Sequence, residues 1–223
     1  MGKLIVLEGL DGSGKSTQLS LLEQALKDRG FSFQTVSFPE YSLPSCEPVK
    51  MYLSGEFGTK PGDVNPFAAS ILYTVDRFAS LKKHWGEFYQ NGGIILAGRY
   101  TTSNAIHQTS KLPEIDWIDY LDWLQELEYE RVGIPKPDQV IYLNVPVEAS
   151  QKLLSDRYAG DESKKDIHER DVSYLLRCHK AADFAADRFG WERVECYTNG
   201  TMRSRESIAA EILEMVLPLL EED

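Results

Sequence analysis

Apolar residues along the chain fall into two rhythms. Short, β-branched, largely apolar runs lie at 4–8, 32–38, 93–97, 139–143 and 193–197. Longer stretches at 15–29, 66–90, 115–131, 147–156, 171–189 and 205–219 repeat apolar positions every three to four residues. The first rhythm predicts strands buried on both faces, and the second predicts amphipathic helices. Their alternation predicts βαβ units, hence an α/β fold with a five-stranded parallel sheet inside a three-layer αβα sandwich. Two stretches break the pattern. Residues 38–66 are rich in Pro and Gly around one helical piece at 48–54, and 157–170 is dense with charge and nearly empty of apolar side chains. Long polar connections near strand ends are either plain surface loops or the lids and clamps of α/β enzymes.

Length and charge narrow the class. A chain of 223 residues predicts one domain rather than an array of modules, with 157–170 as an inserted segment. Lys and Arg total 24 against 35 Asp and Glu, a net charge of −11. That balance speaks against a protein that tracks a nucleic-acid polymer, whose phosphates need a basic face. A small anionic substrate remains compatible with positive charge concentrated locally. The apolar runs are too short to cross a bilayer, and the N-terminal stretch lacks a signal-peptide layout, so no membrane partner is expected. Cys46, Cys178 and Cys196 are odd in number and far apart, which predicts free thiols of a reducing cytoplasm rather than disulfides or a zinc site. His84, His107, His168 and His179 show no metal-ligand spacing.

The strongest motif is Gly9-Leu10-Asp11-Gly12-Ser13-Gly14-Lys15-Ser16, which fits G-x-x-x-x-G-K-[ST] between the first strand and the first helix. Its glycines let backbone N–H groups curl around an oxyanion, and the helix N-terminus adds a positive dipole end. Lys15 can reach the β- and γ-phosphates of a nucleoside triphosphate, and the Ser16 hydroxyl can ligate magnesium. No N-K-x-D tetrapeptide follows, as a guanine switch would need. The third strand, Ile94-Ile95-Leu96-Ala97, ends in Gly98 rather than the acid a motor would use to hold magnesium.

Further motifs follow in order. They are Phe38-Pro39-Glu40-Tyr41, Leu72-Tyr73-Thr74-Val75-Asp76-Arg77, Gly98-Arg99-Tyr100, Ser103-Asn104, and Pro137-Asp138 before the fourth strand. Together with LEGLDGSGKST they resemble thymidylate kinase, a nucleoside monophosphate kinase family, over residues 4 to about 170. The resemblance implies transfer of phosphate from MgATP to dTMP, with ATP on Gly9, Asp11, Gly12, Ser13, Gly14, Lys15, Ser16, Thr17 and Arg157. It implies dTMP on Asp11, Phe38, Pro39, Tyr41, Tyr73, Arg77, Arg99, Ser103, Asn104 and Gln108. It also implies Lys15, Arg99 and the lid lysines Lys164 or Lys165 at the transferring phosphate, Ser16 on the metal, and a homodimer. Physically, Tyr73 and Arg77 stand one turn apart on one helix face, suited to stacking on a base and donating to its carbonyl. A core tyrosine and an acid-paired arginine is the plainer reading of that spacing. Arg99, at a strand's C-terminal end, can grip a phosphate in two-pronged fashion or form a structural ion pair.

Gly12 marks a subtype within the family, while Gly98 and Asn144, which follows Tyr142-Leu143 where an acid is expected, are departures from its pattern. Gly12 stands where some members carry a basic residue inside the loop, so the cation for the γ-phosphate is expected from 157–170. Gly98 stands where the family has Asp, so magnesium is expected to rest on Ser16, phosphates and water. Another nucleotide or deoxynucleoside as acceptor, and a nucleotide-binding regulator with impaired catalysis, are the alternative functions. Trp117, Leu121, Leu124 and Leu127 read as a core face or as a dimer seam.

Overall fold

The computed structural model describes residues 1–157 and 171–221. Its main sheet has β1 (Lys3–Glu8), β2 (Phe33–Ser37), β3 (Ile94–Gly98), β4 (Gln139–Asn144) and β5 (Glu192–Glu195) in the order β2-β3-β1-β4-β5. Every neighbouring pair is parallel. The register pairs Leu7 with both Gly98 and Ile141, and Gly98 with Ser37, so the C-terminal ends of β1, β2 and β3 finish nearly level while β4 runs on to Asn144. Side chains of β1 alternate between layers as the pleat requires. Ile5 and Leu7 face α1 (Lys15–Asp28) and α9 (Arg205–Glu221), packing with Leu22, Leu26, Ile212 and Val216. Leu4 and Val6 face the opposite layer, with Trp85, Tyr89 and Tyr100.

The remaining helices are α2 (Glu47–Ser54), α3 (Pro66–Ser80), α4 (Gly86–Gln90), α5 (Thr101–His107), α6 (Trp117–Gln125), α7 (Val147–Arg157) and α8 (Val172–Phe189). A second core joins Ala105 and Ile106 of α5, Tyr120 and Leu124 of α6, and Leu175 and Ala182 of α8 to Tyr142 of the sheet. Trp117, Leu121 and Leu124 are all buried in the chain itself, so they are core residues rather than a seam for another copy.

The structure departs from the pattern-based expectations in four places. The helix expected over 66–90 is α3 followed by a π turn, Leu81–Trp85, and then α4. The helix over 115–131 likewise ends in a π turn, Glu126–Arg131. The fifth strand stops at Glu195, because Asn199 and Gly200 both take positive φ and turn Tyr197–Thr198 (β6) back onto Thr201–Met202 (β7). Helix α5 was not anticipated, since TTSNAIH is short, polar and β-branched and shows no helical rhythm. Its packing against α8 overrides that weak propensity.

Asp171 caps α8, accepting from the Tyr174 amide at 2.9 Å and the Ser173 hydroxyl at 2.6 Å. The Ser173 hydroxyl first, then the Tyr174 amide, hold its carboxyl below the usual carboxylate range. Asp171→Ala is expected to cost about 1 kcal/mol of stability at neutral pH. A lowered folded-state value stabilises above the unfolded value of about 3.9 and fades as pH falls through the folded one. Urea melts of the two proteins should therefore converge as pH falls below the unfolded value of about 3.9; a gap independent of pH would refute the assignment.

Candidate active site

The phosphate loop springs from the end of β1. Gly14 takes the left-handed conformation and starts α1, and the Lys15 ammonium donates to the carbonyls of Gly9 and Leu10, both at 2.7 Å. Ser13 Oγ is buried with no partner among the described residues, Thr17 is half-buried, and Ser16 is exposed. Gly12 has φ +81°, and a Cβ there would come within 2.3 Å of the Ser150 carbonyl and 2.9 Å of Leu154 on α7. A side chain at position 12 would therefore have to displace the helix packed on it. The cations read from the sequence for the γ-phosphate, Lys164 and Lys165, lie outside the described residues, as does the side chain of Arg157.

Beside the loop, β1 and β3 are hydrogen-bonded neighbours, so Glu8 and Arg99 emerge together. Glu8 is fully buried. Its carboxylate accepts from the Gly9 amide (2.8 Å), Thr102 Oγ1 (2.7 Å) and Ser103 Oγ (2.7 Å), the latter two from the first turn of α5. Arg99 has φ 72° and forms an ion pair with Asp11; its Nη1 donates to Ser103 Oγ at 3.2 Å and lies 3.8 Å from Glu8. Burial works to lower the Arg99 guanidinium's pKa, but the carboxylates of Asp11 and Glu8 more than reverse this, leaving it above its ordinary value and charged.

A cavity opens next to this cluster, lined by all ten residues that the sequence resemblance assigned to an acceptor nucleotide. Asp11, Arg99 and Ser103 stand at the phosphate-loop end. Phe38, Pro39 and Tyr41 form one wall, and Tyr73, Arg77, Asn104 and Gln108 complete the lining. The cavity also includes Leu53, Tyr100 and His107, which the sequence reading did not place there. Tyr73 is braced edge-on by Tyr52 of α2, ring centres 6.3 Å apart. Arg77 is buried and ion-paired with the buried Glu128, which also accepts from Thr74 Oγ1 at 2.7 Å. Its Nη1 points to the Tyr100 carbonyl at 3.5 Å, and its Nε has no partner among the described residues. Gln108 Oε1 is buried and unmatched as well. Arg77 is thus paired with an acid, as the plainer reading of its spacing has it, and it also lines the cavity. A larger cavity of about 290 Å³, between Lys136–Val140 and Arg188–Glu192, contains no residue of the phosphate loop.

Three supporting acids were not singled out from the sequence. Glu8 could have been noticed as the one charge ending an otherwise buried strand. Asp76 is buried and holds the Glu40 amide (2.8 Å) and Ser45 Oγ (3.0 Å), tying the Phe38–Pro39 wall to α3. Glu128 gave no local signal, because a π turn brings it inward. At Gly98, a Cβ would meet the tip of Leu19 at 3.1 Å and Ser37 Oγ at 3.5 Å. Among the described residues no group of three or more His, Cys, Asp and Glu is arranged to hold a metal.

Comparison with known proteins points to one family. A family model described as thymidylate kinase matches residues 7–193. A thymidylate kinase of Mycobacterium tuberculosis is 30% identical over 190 residues, 84% of this chain and 87% of its own. A probable thymidylate kinase of Pyrobaculum aerophilum is 26% identical over 212 residues, 95% of each. The solved structure of a thymidylate kinase from Candida albicans shares the fold, with a TM-score of 0.74 at 20% identity over 98% of this chain and 92% of that one.

The constraint at Gly12 is testable against a built-in control. Gly30 has the same φ of +81°, and a Cβ there would meet nothing within 4 Å. Gly30→Ala should cost only the left-handed strain, about 1–2 kcal/mol. Gly12→Ala should cost clearly more in chemical denaturation, since the Ser150 carbonyl must also move. Equal losses would show that α7 does not close the loop to side chains.

Proposed function

The chain belongs to the thymidylate kinase family, and from that premise we propose that it transfers the γ-phosphate of ATP to dTMP, giving dTDP and ADP, within one kinase domain. The observation that carries the reading is the junction of Glu8, Asp11 and Arg99, which sets the phosphate loop and the acceptor cavity against each other. In-line transfer needs little covalent help from protein, mainly positioning and neutralised charge. Lys15 serves the donor phosphates and Arg99 the acceptor phosphate. The Ser16 hydroxyl would be the protein's contribution to holding magnesium, since Gly98 offers no acid there. The ion's contribution, when bound, is to neutralise charge on the phosphate oxygens. At the base end, the unmatched Arg77 Nε–H suits a pyrimidine carbonyl, Tyr73 offers a ring to stack on, and Asn104 offers a donor and an acceptor to the N3 edge. Residues 157–170 act as the lid, with Lys164 or Lys165 at the transferring phosphate and Arg157 near the adenine.

A homodimer is part of the same proposal. Phe67, Ile71, Val75 and Phe78 of α3 are 37, 48, 51 and 40% exposed and follow one another along one helix face. An apolar stripe of that kind is what a twofold partner would cover. A cytoplasmic setting accords with three buried free thiols, and no described helix is long and apolar enough to cross a membrane.

With MgATP and dTMP, dUMP, dCMP, dGMP or AMP offered in parallel, ADP release should be well above the rest with dTMP; preference for another acceptor would discard the base-site assignment. Arg77→Ala alone would strand the Glu128 carboxylate at about 3–5 kcal/mol, so the base contact is better read from Arg77→Leu combined with Glu128→Leu. That pair should raise the dTMP KM on the order of 10-fold with the ATP KM unchanged. A dTMP KM equal to wild type would remove Arg77 from the base site. Val75→Glu should shift the sedimenting species from dimer to monomer, and an unshifted dimer would place the interface elsewhere.

A further inference from the structure

His107, the last residue of α5, is buried against α8 and lines the acceptor cavity. Its Nε2 lies 3.4 Å from Arg99 Nη1, and its Nδ1 lies 3.6 Å from the Cys178 sulfur. The proton positions follow from which groups can donate. A guanidinium N–H can only donate, so Nε2 must present its lone pair. A neutral imidazole carries one proton, which therefore sits on Nδ1 and points at Cys178 Sγ. The next links are directed in the same way. Ser110 Oγ donates to the His107 carbonyl at 2.9 Å, which commits its only proton, so at 3.2 Å it must accept from the Cys178 S–H. The Tyr174 hydroxyl also donates to the His107 carbonyl, at 2.9 Å, and its ring stacks beside the imidazole.

We propose that His107, held as the Nδ1–H tautomer by Cys178, is a positioning residue for Arg99. The two protons of Arg99 Nη1 go to Ser103 and His107, and Nη2 reaches Asp11. Nε–H and a second Nη2–H have no acceptor among the described residues and remain for the acceptor phosphate. Without an acceptor at position 107, the Nη1 corner loses one of its two anchors and the guanidinium can turn toward the carboxylates of Asp11 and Glu8. The helix pair α5–α8 thereby sets the aim of a side chain at the end of β3, with no contact between His107 and the transferring phosphate required. The inference rests on Arg99 as the acceptor-phosphate ligand, and its test is divided accordingly.

Long-range 15N–1H spectra of the full ligand-free chain, with His107 assigned by triple resonance, should show a proton on Nδ1 and a lone-pair-type nitrogen at Nε2. A proton on Nε2 would overturn the proposal irrespective of what the enzyme phosphorylates. In steady-state kinetics, His107→Leu should raise the dTMP KM on the order of 10-fold or more while the ATP KM holds within about 2-fold. His107→Gln, whose amide oxygen can accept from Arg99, should recover most of the loss. An unchanged dTMP KM in the leucine variant, or glutamine no better than leucine, would reduce His107 to a packing residue. If the wild type ignores dTMP, the functional reading fails while the tautomer measurement still decides this one.

Discussion

A carboxylate with no exposure to water, at the end of a central strand, is tolerable only when donors surround it. Glu8 is in that position, and the local architecture answers to it. The Gly9 amide, two hydroxyls from the first turn of α5 and the nearby Arg99 supply the donors. Placing a negative group beside the start of α5 also suits the helix dipole. Arg99 holds a left-handed backbone that costs a non-glycine residue about 1–2 kcal/mol, and the ion pair with Asp11 and the bonds to Ser103 and His107 keep it there. The phosphate loop, β3 and α5 are thus locked to one another by a single buried charge.

The base end of the cavity is built on a similar footing. Arg77 and Glu128 are both buried, and each is 51 residues from the other in the chain. Such pairs contribute little net stability compared with apolar packing, yet either partner alone would be severely unfavourable. Their value lies in geometry. The π turn Glu126–Arg131 swings Glu128 under α3, and the pair then leaves one guanidinium N–H of Arg77 unmatched. Local widening of a helix at a functional site is a recurrent device. Asp76 does related service on the opposite wall, where burial raises its carboxyl against two bonds that favour its charged form.

Much of this was legible beforehand for reasons that can be stated residue by residue. Gly9, Gly12, Gly14, Lys15 and Ser16 are read by spacing, because a loop that wraps an oxyanion has few chemical solutions. The ten candidate acceptor residues come from motifs scattered between Asp11 and Gln108, and the fold gathers them into one lining. Their partners were not legible. Glu8 meets Thr102 across 94 residues, and His107 meets Cys178 across 71. No local pattern encodes such a meeting, since it depends on strand order and helix packing. Helix α5 was missed for the complementary reason: its seven residues lack a helical rhythm of their own.

By itself the sequence determined the α/β class, the five strands, the phosphate loop and three cysteines too far apart in the chain to suggest a framework, because periodicity, glycine spacing and cysteine counting are local properties of the chain. Only the tertiary structure decided that α7 packs on Gly12 where a side chain would go, that Arg77 shares its charge with Glu128, that Trp117 and Leu121 face inward, and which nitrogen of His107 accepts from Arg99. Each of those depends on atoms brought within a few ångströms from distant positions, where packing and the direction of hydrogen bonds, rather than residue type, set the outcome.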